Sequence, residues 1–411
     1  MNIVFWYDNL IDGVPSNPID SIENTDRWLQ RLAHKENYEF KQISVDQVNP
    51  SDKNFYIVSY YSPEIEGAKQ PFDTFNLLEY DLLSHVKYLD WLRSNPEVTL
   101  IIDQSWEIHL WNWNQSKNWG DFLVKQKAIH QLWNEVIICR GMSKDTNWKT
   151  PRCKTIDLEM TWFITGEQLS SYYDNFDFNT SERPYLFQAH CAKPKIHRIA
   201  LLTFLKQKNL LKKTNYSLVD IVPRGDRYQL DGIKYYTTID NINNIGKRFI
   251  NVYNLKDKYN FQGSIVRPDF LVDSYSSSYT SLVLESDFNL LGWHDIDNEK
   301  DFISNYTEKT LKSLFAGQFF IVVGLPFVIE RLRELGFDVF DDIIDHRYDV
   351  VLDKQQRWDK IKETIMKFNK RDMYSTYLDN IDRLKENQNK FLQLYQSIPG
   401  NRLKQWLESF V

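Results

Sequence analysis

Residues 305–324 read N-Y-T-E-K-T-L-K-S-L-F-A-G-Q-F-F-I-V-V-G. The stretch predicts a short helix that runs into a wholly apolar strand ending at Gly324. Thr307 suits a helix cap, and Glu308 in the first turn complements the positive end of the helix dipole. Lys309 opposes that dipole, so it is either solvated or turned toward a ligand anion. A lysine beside free backbone N–H groups is a fitting phosphate clamp, and the carboxylate next to it can accept hydrogen bonds from ribose or sugar hydroxyls.

Three more places carry chemistry-bearing residues where strands end and helices begin, which is where open α/β sheets collect ligands. Glu285 closes the apolar run L-V-L-E-S (282–286). A carboxylate buried there without partners is costly, so Glu285 is either an exposed strand end or a ligand contact. In A-K-P-K-I-H-R (192–198), Lys193, Lys195, His197 and Arg198 gather at a helix start. They form an anion site or a solvated first turn. Finally, Asp103 ends the run V-T-L-I-I-D and Glu107 follows it, with Trp106, Trp111, Trp113 and Trp119 crowding the loop behind. Carboxylates beside aromatic faces suit sugar recognition, and aromatic core is the plain alternative for any single tryptophan.

The elements that must position these residues are legible as hydrophobic pattern. Short runs apolar on both faces predict strands over 2–7, 40–45, 54–61, 98–103, 135–140 and 155–160, with helices over about 21–33, 75–95, 119–132 and 167–175. Such alternation implies parallel sheets covered on both sides. The polar stretch 174–184 reads as a linker, after which strands recur at 185–190, 216–222, 279–286, 319–324 and 338–340, with a helix over 195–207. In the tail, Tyr374, Leu378, Ile381, Leu384, Gln388, Phe391 and Tyr395 recur at helical spacing, with Pro399-Gly400 as the expected stop. The acidic run D-D-I-I-D-H-R-Y-D (341–349) offers no defined metal-ligand spacing and reads as a surface loop.

With 411 residues and a hydrophobic share of 42%, the chain has material for two cores. A net charge of −6 argues against nucleic acid as a bulk partner. Three scattered cysteines, no membrane-length apolar run and no basic leader predict a soluble, cytoplasmic protein. The phosphate loop, the dinucleotide fingerprint, the nucleophile elbow and the zinc-protease motif do not occur in the sequence.

Taken together, L-E-S (284–286), N-Y-T-E-K-T (305–310) and F-A-G-Q-F-F-I-V-V-G (315–324) resemble the donor domain of α-1,3-fucosyltransferases. That family carries F-E-N-S, then Y-[IV]-[ST]-E-K, then A-x-x-x-G-x-V-P-V-x-x-G. Its V-P-V is F-I-V here and its F-E-N-S lacks the Asn. A similar block occurs in glycosyltransferase-like proteins of tailed phages, which add H-R-x-x-L-L and L-x-x-L-G-F-x-x-F. Their counterparts here are I-H-R-I-A-L-L (196–202) and R-L-R-E-L-G-F-D-V-F (331–340).

The resemblance implies an α/β protein of two Rossmann-like domains in the GT-B arrangement, with a C-terminal helical extension. The domains expected are 1–178 on the acceptor side, 179–370 holding a nucleotide-sugar donor, and helices over 371–411 packed on both. Lys309 then contacts the donor diphosphate and Glu308 the ribose or sugar. Thr307 and Glu285 complete the donor set, and Arg198 is a second phosphate contact. Glu107 is the expected base, with Asp103 as second choice, and Trp106, Trp111 and Trp113 are expected to face the acceptor. The implied reaction is metal-independent, needs no cofactor besides its donor, and places the protein in the host cytoplasm if it is phage-encoded. The acceptor stays open among polysaccharide, protein and modified DNA bases. The competing expectation is a non-catalytic binding or assembly protein that keeps the fold.

Overall fold

In a computed structural model the described residues are 2–7, 28–43, 47–59, 88–104, 119–140, 154–170, 178, 180–191, 196–218, 275–285, 288 and 306–409. They form an α/β protein with two parallel sheets. The described residues fall into two compact units: one holds those up to Gln168 and from Gln393 onward, the other those of Leu169–Leu290 and Ser304–Leu392. Among the described residues no helix is long and apolar enough to cross a membrane.

The first unit is built on six strands, β1 (Ile3–Tyr7), β2 (Glu39–Gln42), β3 (Lys53–Ser59), β4 (Thr99–Gln104), β5 (Val136–Arg140) and β6 (Lys154–Asp157). They pair in parallel in the order β2-β1-β3-β4-β5-β6. Successive side chains of a strand point to opposite faces, so a strand apolar at every position serves two cores. One core takes Val4, Trp6, Tyr56, Leu100 and Ile102, closed by Leu92 of α2 (Leu89–Ser94). The other takes Phe5, Phe55, Ile57, Ile101 and Ile137. It is closed by Leu29 and Leu32 of α1 (Trp28–Lys35) and by Met160 and Phe163 of α4 (Met160–Leu169). Helix α3 (Trp119–Ile129) precedes β5. The expected strand over 155–160 stops at Asp157 because Glu159 takes a positive φ of 50° and Met160 opens α4. Arg402 meets the buried Glu159 carboxylate at 2.6 Å.

The second unit carries β7 (Tyr185–Cys191), β8 (Thr214–Leu218), β9 (Ser278–Leu284) and β10 (Phe319–Val323), all parallel, in the order β10-β9-β7-β8. Its helices are α5 (Ile196–Gln207), α6 (Glu308–Phe315), α7 (Val328–Glu334), α8 (Lys354–Phe368) and α9 (Met373–Asp379). The order places β8 and β9 on either side of β7. The carboxyl ends of β7 and β9 therefore flank a topological switch point, the place where such sheets bind ligands. Asp338–Phe340 is not a strand. The Asp338 carboxylate accepts the Phe340 N–H at 2.8 Å, and Phe340 sits at φ 60°, which makes a turn.

Helix α10 (Ile381–Glu408) runs through Pro399 instead of stopping there. Proline removes one backbone donor, whereas continuing the helix buries Leu403 and Leu407 against the core that holds α1 and α4. Its early turns belong to the second unit, where Leu384 and Phe391 are buried and the Gln388 amide donates to the Phe315 carbonyl at 2.7 Å. Tyr374 and Leu378, earlier in the expected stripe, are exposed.

The acidic run 341–349 is an ion-paired loop. Asp341 pairs with Arg333, Asp342 with Arg383, and Asp345 with both Arg347 and Lys367. Asp349 is buried and caps α7, accepting the Ile329 and Glu330 N–H groups at 3.1 and 2.9 Å. Burial outweighs those hydrogen bonds and raises its pKa to about 6. The folded chain therefore holds this proton more tightly than the unfolded chain. The stability so gained is complete below about pH 4 and lost as pH rises through 6. Urea unfolding of wild type and Asp349→Asn should differ in slope over that window, with wild type losing ~2 kcal/mol relative to the variant between pH 4 and pH 7. Parallel stability curves for the two proteins would contradict this assignment.

Candidate functional site

The centre of the site is Glu285, one residue past the end of β9 and 1% exposed. Its carboxylate is taken up by the start of α6. The Thr307 N–H donates to Oε1 at 2.9 Å, the Thr307 hydroxyl to Oε2 at 2.5 Å, and the Thr310 hydroxyl to Oε1 at 2.5 Å. Its main-chain carbonyl is taken up by the start of α5. Arg198 donates to it from Nε at 3.3 Å and Nη2 at 3.0 Å. His197 Nε2 lies 2.9 Å away, and since a carbonyl only accepts, that nitrogen carries the proton. The His197 ring also stacks on Phe288, 5.6 Å between centroids. One residue thus ties the ends of β9, α5 and α6 together. Gly324 is needed for the fit, because a Cβ there would stand 2.9 Å from that of Glu285.

Capping fixes what α6 presents. Thr307 adopts an extended conformation, and its hydroxyl accepts the Lys309 N–H at 3.3 Å, as an N-cap residue does. Glu308 and Lys309 then project from the first turn with side chains 39% and 25% exposed, their charges 2.7 Å apart. The Lys309 ammonium also reaches the Thr307 hydroxyl at 3.1 Å. Burial works against the Glu308 charge, but Lys309, Lys312 and the hydrogen bonds from Lys309 and Thr307 prevail and hold its pKa at about 2. At neutral pH it is a carboxylate, able to accept hydroxyl donors.

A buried polar layer lies at the other end of these strands, where β9 and β10 begin. Gln188 on β7 donates to Ser281 and Gln318 at 3.2 and 2.7 Å. Gln318 donates to the carbonyls of Tyr275 and Ser278 at 2.6 and 2.9 Å. Arg183 holds the same segment through the Ser278 carbonyl and the Tyr377 hydroxyl, both at 2.6 Å.

The structure therefore brings Glu285, Thr307, Glu308, Lys309 and Arg198 together. Arg198 and Glu285 are buried, whereas Glu308 and Lys309 are partly exposed. Asp103 lies in β4, in register with Ser59 and Cys139. Glu107, Trp106, Trp111 and Trp113 lie outside the described residues, as do Lys193 and Lys195. Sequence reasoning missed the Tyr275, Gln188 and Gln318 layer, whose members are far apart in the chain. Among the described residues, no group of three or more His, Cys, Asp and Glu side chains is placed to hold a metal ion. A cavity of about 760 Å³ opens beside the acidic loop, lined by residues that include Arg333, Asp345, Arg347 and Lys367. None of the predicted site residues lines it.

No family model, curated protein or solved structure matches the chain.

The geometry makes Glu285 a helix-capping acceptor as well as a neighbour of the charged pair. Glu285→Gln removes one of two acceptor oxygens serving three donors. It should cost ~1–3 kcal/mol in chemical unfolding, because a buried donor then goes unpaired. Unchanged stability in the variant would contradict the capping role.

Proposed function

We propose that the chain is a glycosyltransferase that moves a sugar from a nucleoside-diphosphate sugar to a hydroxyl acceptor. One observation carries the reading. A lysine and a carboxylate, both partly exposed, stand on the first turn of a capped helix at the carboxyl end of β9, beside the switch point of a parallel sheet. Backbone N–H groups at a helix start and an ammonium suit phosphate oxygens, and the carboxylate suits ribose or sugar hydroxyls. The likeness of L-E-S, Y-T-E-K and the following helix-strand to fucosyltransferase donor domains supports the same roles, on a GT-B arrangement of the two units.

In that reaction the acceptor oxygen bonds to the anomeric carbon as the bond from that carbon to the diphosphate oxygen breaks. The acceptor proton passes to a base, and the bonding pair leaves with the nucleoside diphosphate. Positive charge develops on the sugar, as in glycoside hydrolysis. Lys309 and the α6 N-terminus stabilise the departing diphosphate. Glu107 serves as the base, with Asp103 as the second assignment, and Trp106, Trp111 and Trp113 face the acceptor. Arg198 acts through the Glu285 carbonyl, holding the turn on which the donor rests.

Lys309→Ala removes the ammonium and leaves the cap in place. Calorimetric titration with UDP-, GDP- and CMP-sugars should show loss of donor affinity by at least about tenfold, the worth of one charged hydrogen bond. Wild-type affinity for every donor, together with transferase activity in the variant, would refute the assignment.

A further inference from the structure

The cavity of about 760 Å³ in the second unit has no part in the reading above. Apolar side chains line it: Ile344 and Phe368 from buried positions, and Val350 from one that is 57% exposed. Charged groups share the wall, and most of them are engaged with each other. Asp341 pairs with Arg333, and Arg383 donates to both Asp342 oxygens, at 3.0 and 2.9 Å. Arg347 and Lys367 share Asp345, at 2.6 and 3.0 Å. The buried Asp349 is committed to the start of α7. Two cations of the lining are left. Among the described residues Lys370 and Arg371 form no ion pair and no side-chain hydrogen bond, and both are exposed. Arg371 only adds its charge to the Arg383 hydrogen bonds that hold the Asp342 carboxyl below its usual range.

The backbone that carries these two residues is pinned on both sides. Asn369 caps the end of α8, and the Lys370 and Arg371 N–H groups donate to the Lys367 and Phe368 carbonyls, each at 3.1 Å. The next residue, Asp372, is the N-cap of α9, and its carboxylate accepts the Ser375 N–H at 3.2 Å. A helix C-terminus favours a cation in its last turn, which accounts for Lys367. Lys370 and Arg371 lie past that turn, where the effect has fallen off. A fixed corner thus sets two adjacent cations beside a cavity with apolar walls, of a volume that suits a small molecule. A phosphate monoester is close to dianionic at neutral pH and offers three acceptor oxygens, so one group can satisfy both.

We propose that this cavity binds a small phosphate monoester with an apolar body, its phosphate on Lys370 and Arg371 and its body against Ile344, Val350 and Phe368. No donor-site residue takes part, so this site stands or falls apart from the reading of α6. The test is calorimetric titration of the full chain with phenyl phosphate and with inorganic phosphate. Phenyl phosphate should bind saturably to the wild type and equally well to Lys309→Ala. The double variant Lys370→Gln/Arg371→Gln should weaken it at least about tenfold, the worth of one charged hydrogen bond. Both replaced side chains are exposed and unpaired, so the double variant should melt as the wild type does. Val350→Asp, which sets a negative charge at an exposed point of the wall, should weaken binding as well. Inorganic phosphate should bind less tightly than phenyl phosphate, because it makes no apolar contact. No saturable binding of phenyl phosphate by the wild type would overturn the proposal, as would full affinity in the double variant or in Val350→Asp. Loss of binding in Lys309→Ala would place the phosphate on α6 and overturn it too. Inorganic phosphate binding as tightly as phenyl phosphate would overturn the role of the apolar wall.

Discussion

Everything at the candidate site depends on how the buried Glu285 is satisfied. A carboxylate at the end of an apolar strand has a large desolvation cost unless it is hydrogen-bonded. Here the bonds come from the opening residues of α6, while the carbonyl of the same residue is bonded by the opening residues of α5. The cost of burying the acid is offset only when α6 begins where it does, and the carbonyl is paired only when α5 does. Glu285 therefore sets the register between sheet and helices, and the register decides which side chains of α6 meet solvent at the sheet's carboxyl edge.

That constraint explains a charge pattern that local preferences alone disfavour. A lysine in a first helical turn opposes the dipole. Lys309 is held there by Glu308 on one side and by the Thr307 hydroxyl on the other. Thr307 in turn is fixed by Glu285, so the lysine's placement is inherited from the buried acid. At the amino ends of the same strands, the amides of Gln188 and Gln318 are paired with each other and with backbone carbonyls, which favours a rigid sheet over an adaptable one. A pre-organised corner of this kind loses little on binding a ligand whose charge it is built to meet.

Much of the fold was legible because both sheets are parallel and covered on both faces, so their strands stand out as short runs apolar throughout. Val4, Phe5 and Trp6 show the principle: neighbours in sequence, they serve different cores. The failures have local causes. At 338–340 the expected strand D-V-F is folded into a turn by the Asp338 side chain, and at Pro399 tertiary burial of Leu403 and Leu407 overrides a helix-stop signal. At the site, Thr307, Glu308 and Lys309 were readable as a capped turn with one discordant lysine. The inward aim of Glu285 was not, since a strand-end carboxylate reads the same whether it faces a ligand or a helix cap. Tyr275 and Gln188 were invisible for a different reason: only the sheet pairing brings distant segments together.

The central claim is that the first turn of α6, positioned by Glu285, is where a phosphate group binds. Nuclear magnetic resonance of the chain labelled at lysine reads this directly, with the backbone amide of Lys309 as reporter during titration with a nucleoside diphosphate. The account predicts a saturable shift of the Lys309 amide that tracks binding and disappears in Glu285→Gln, where the cap is broken. Saturable binding that leaves the Lys309 amide unmoved would contradict it.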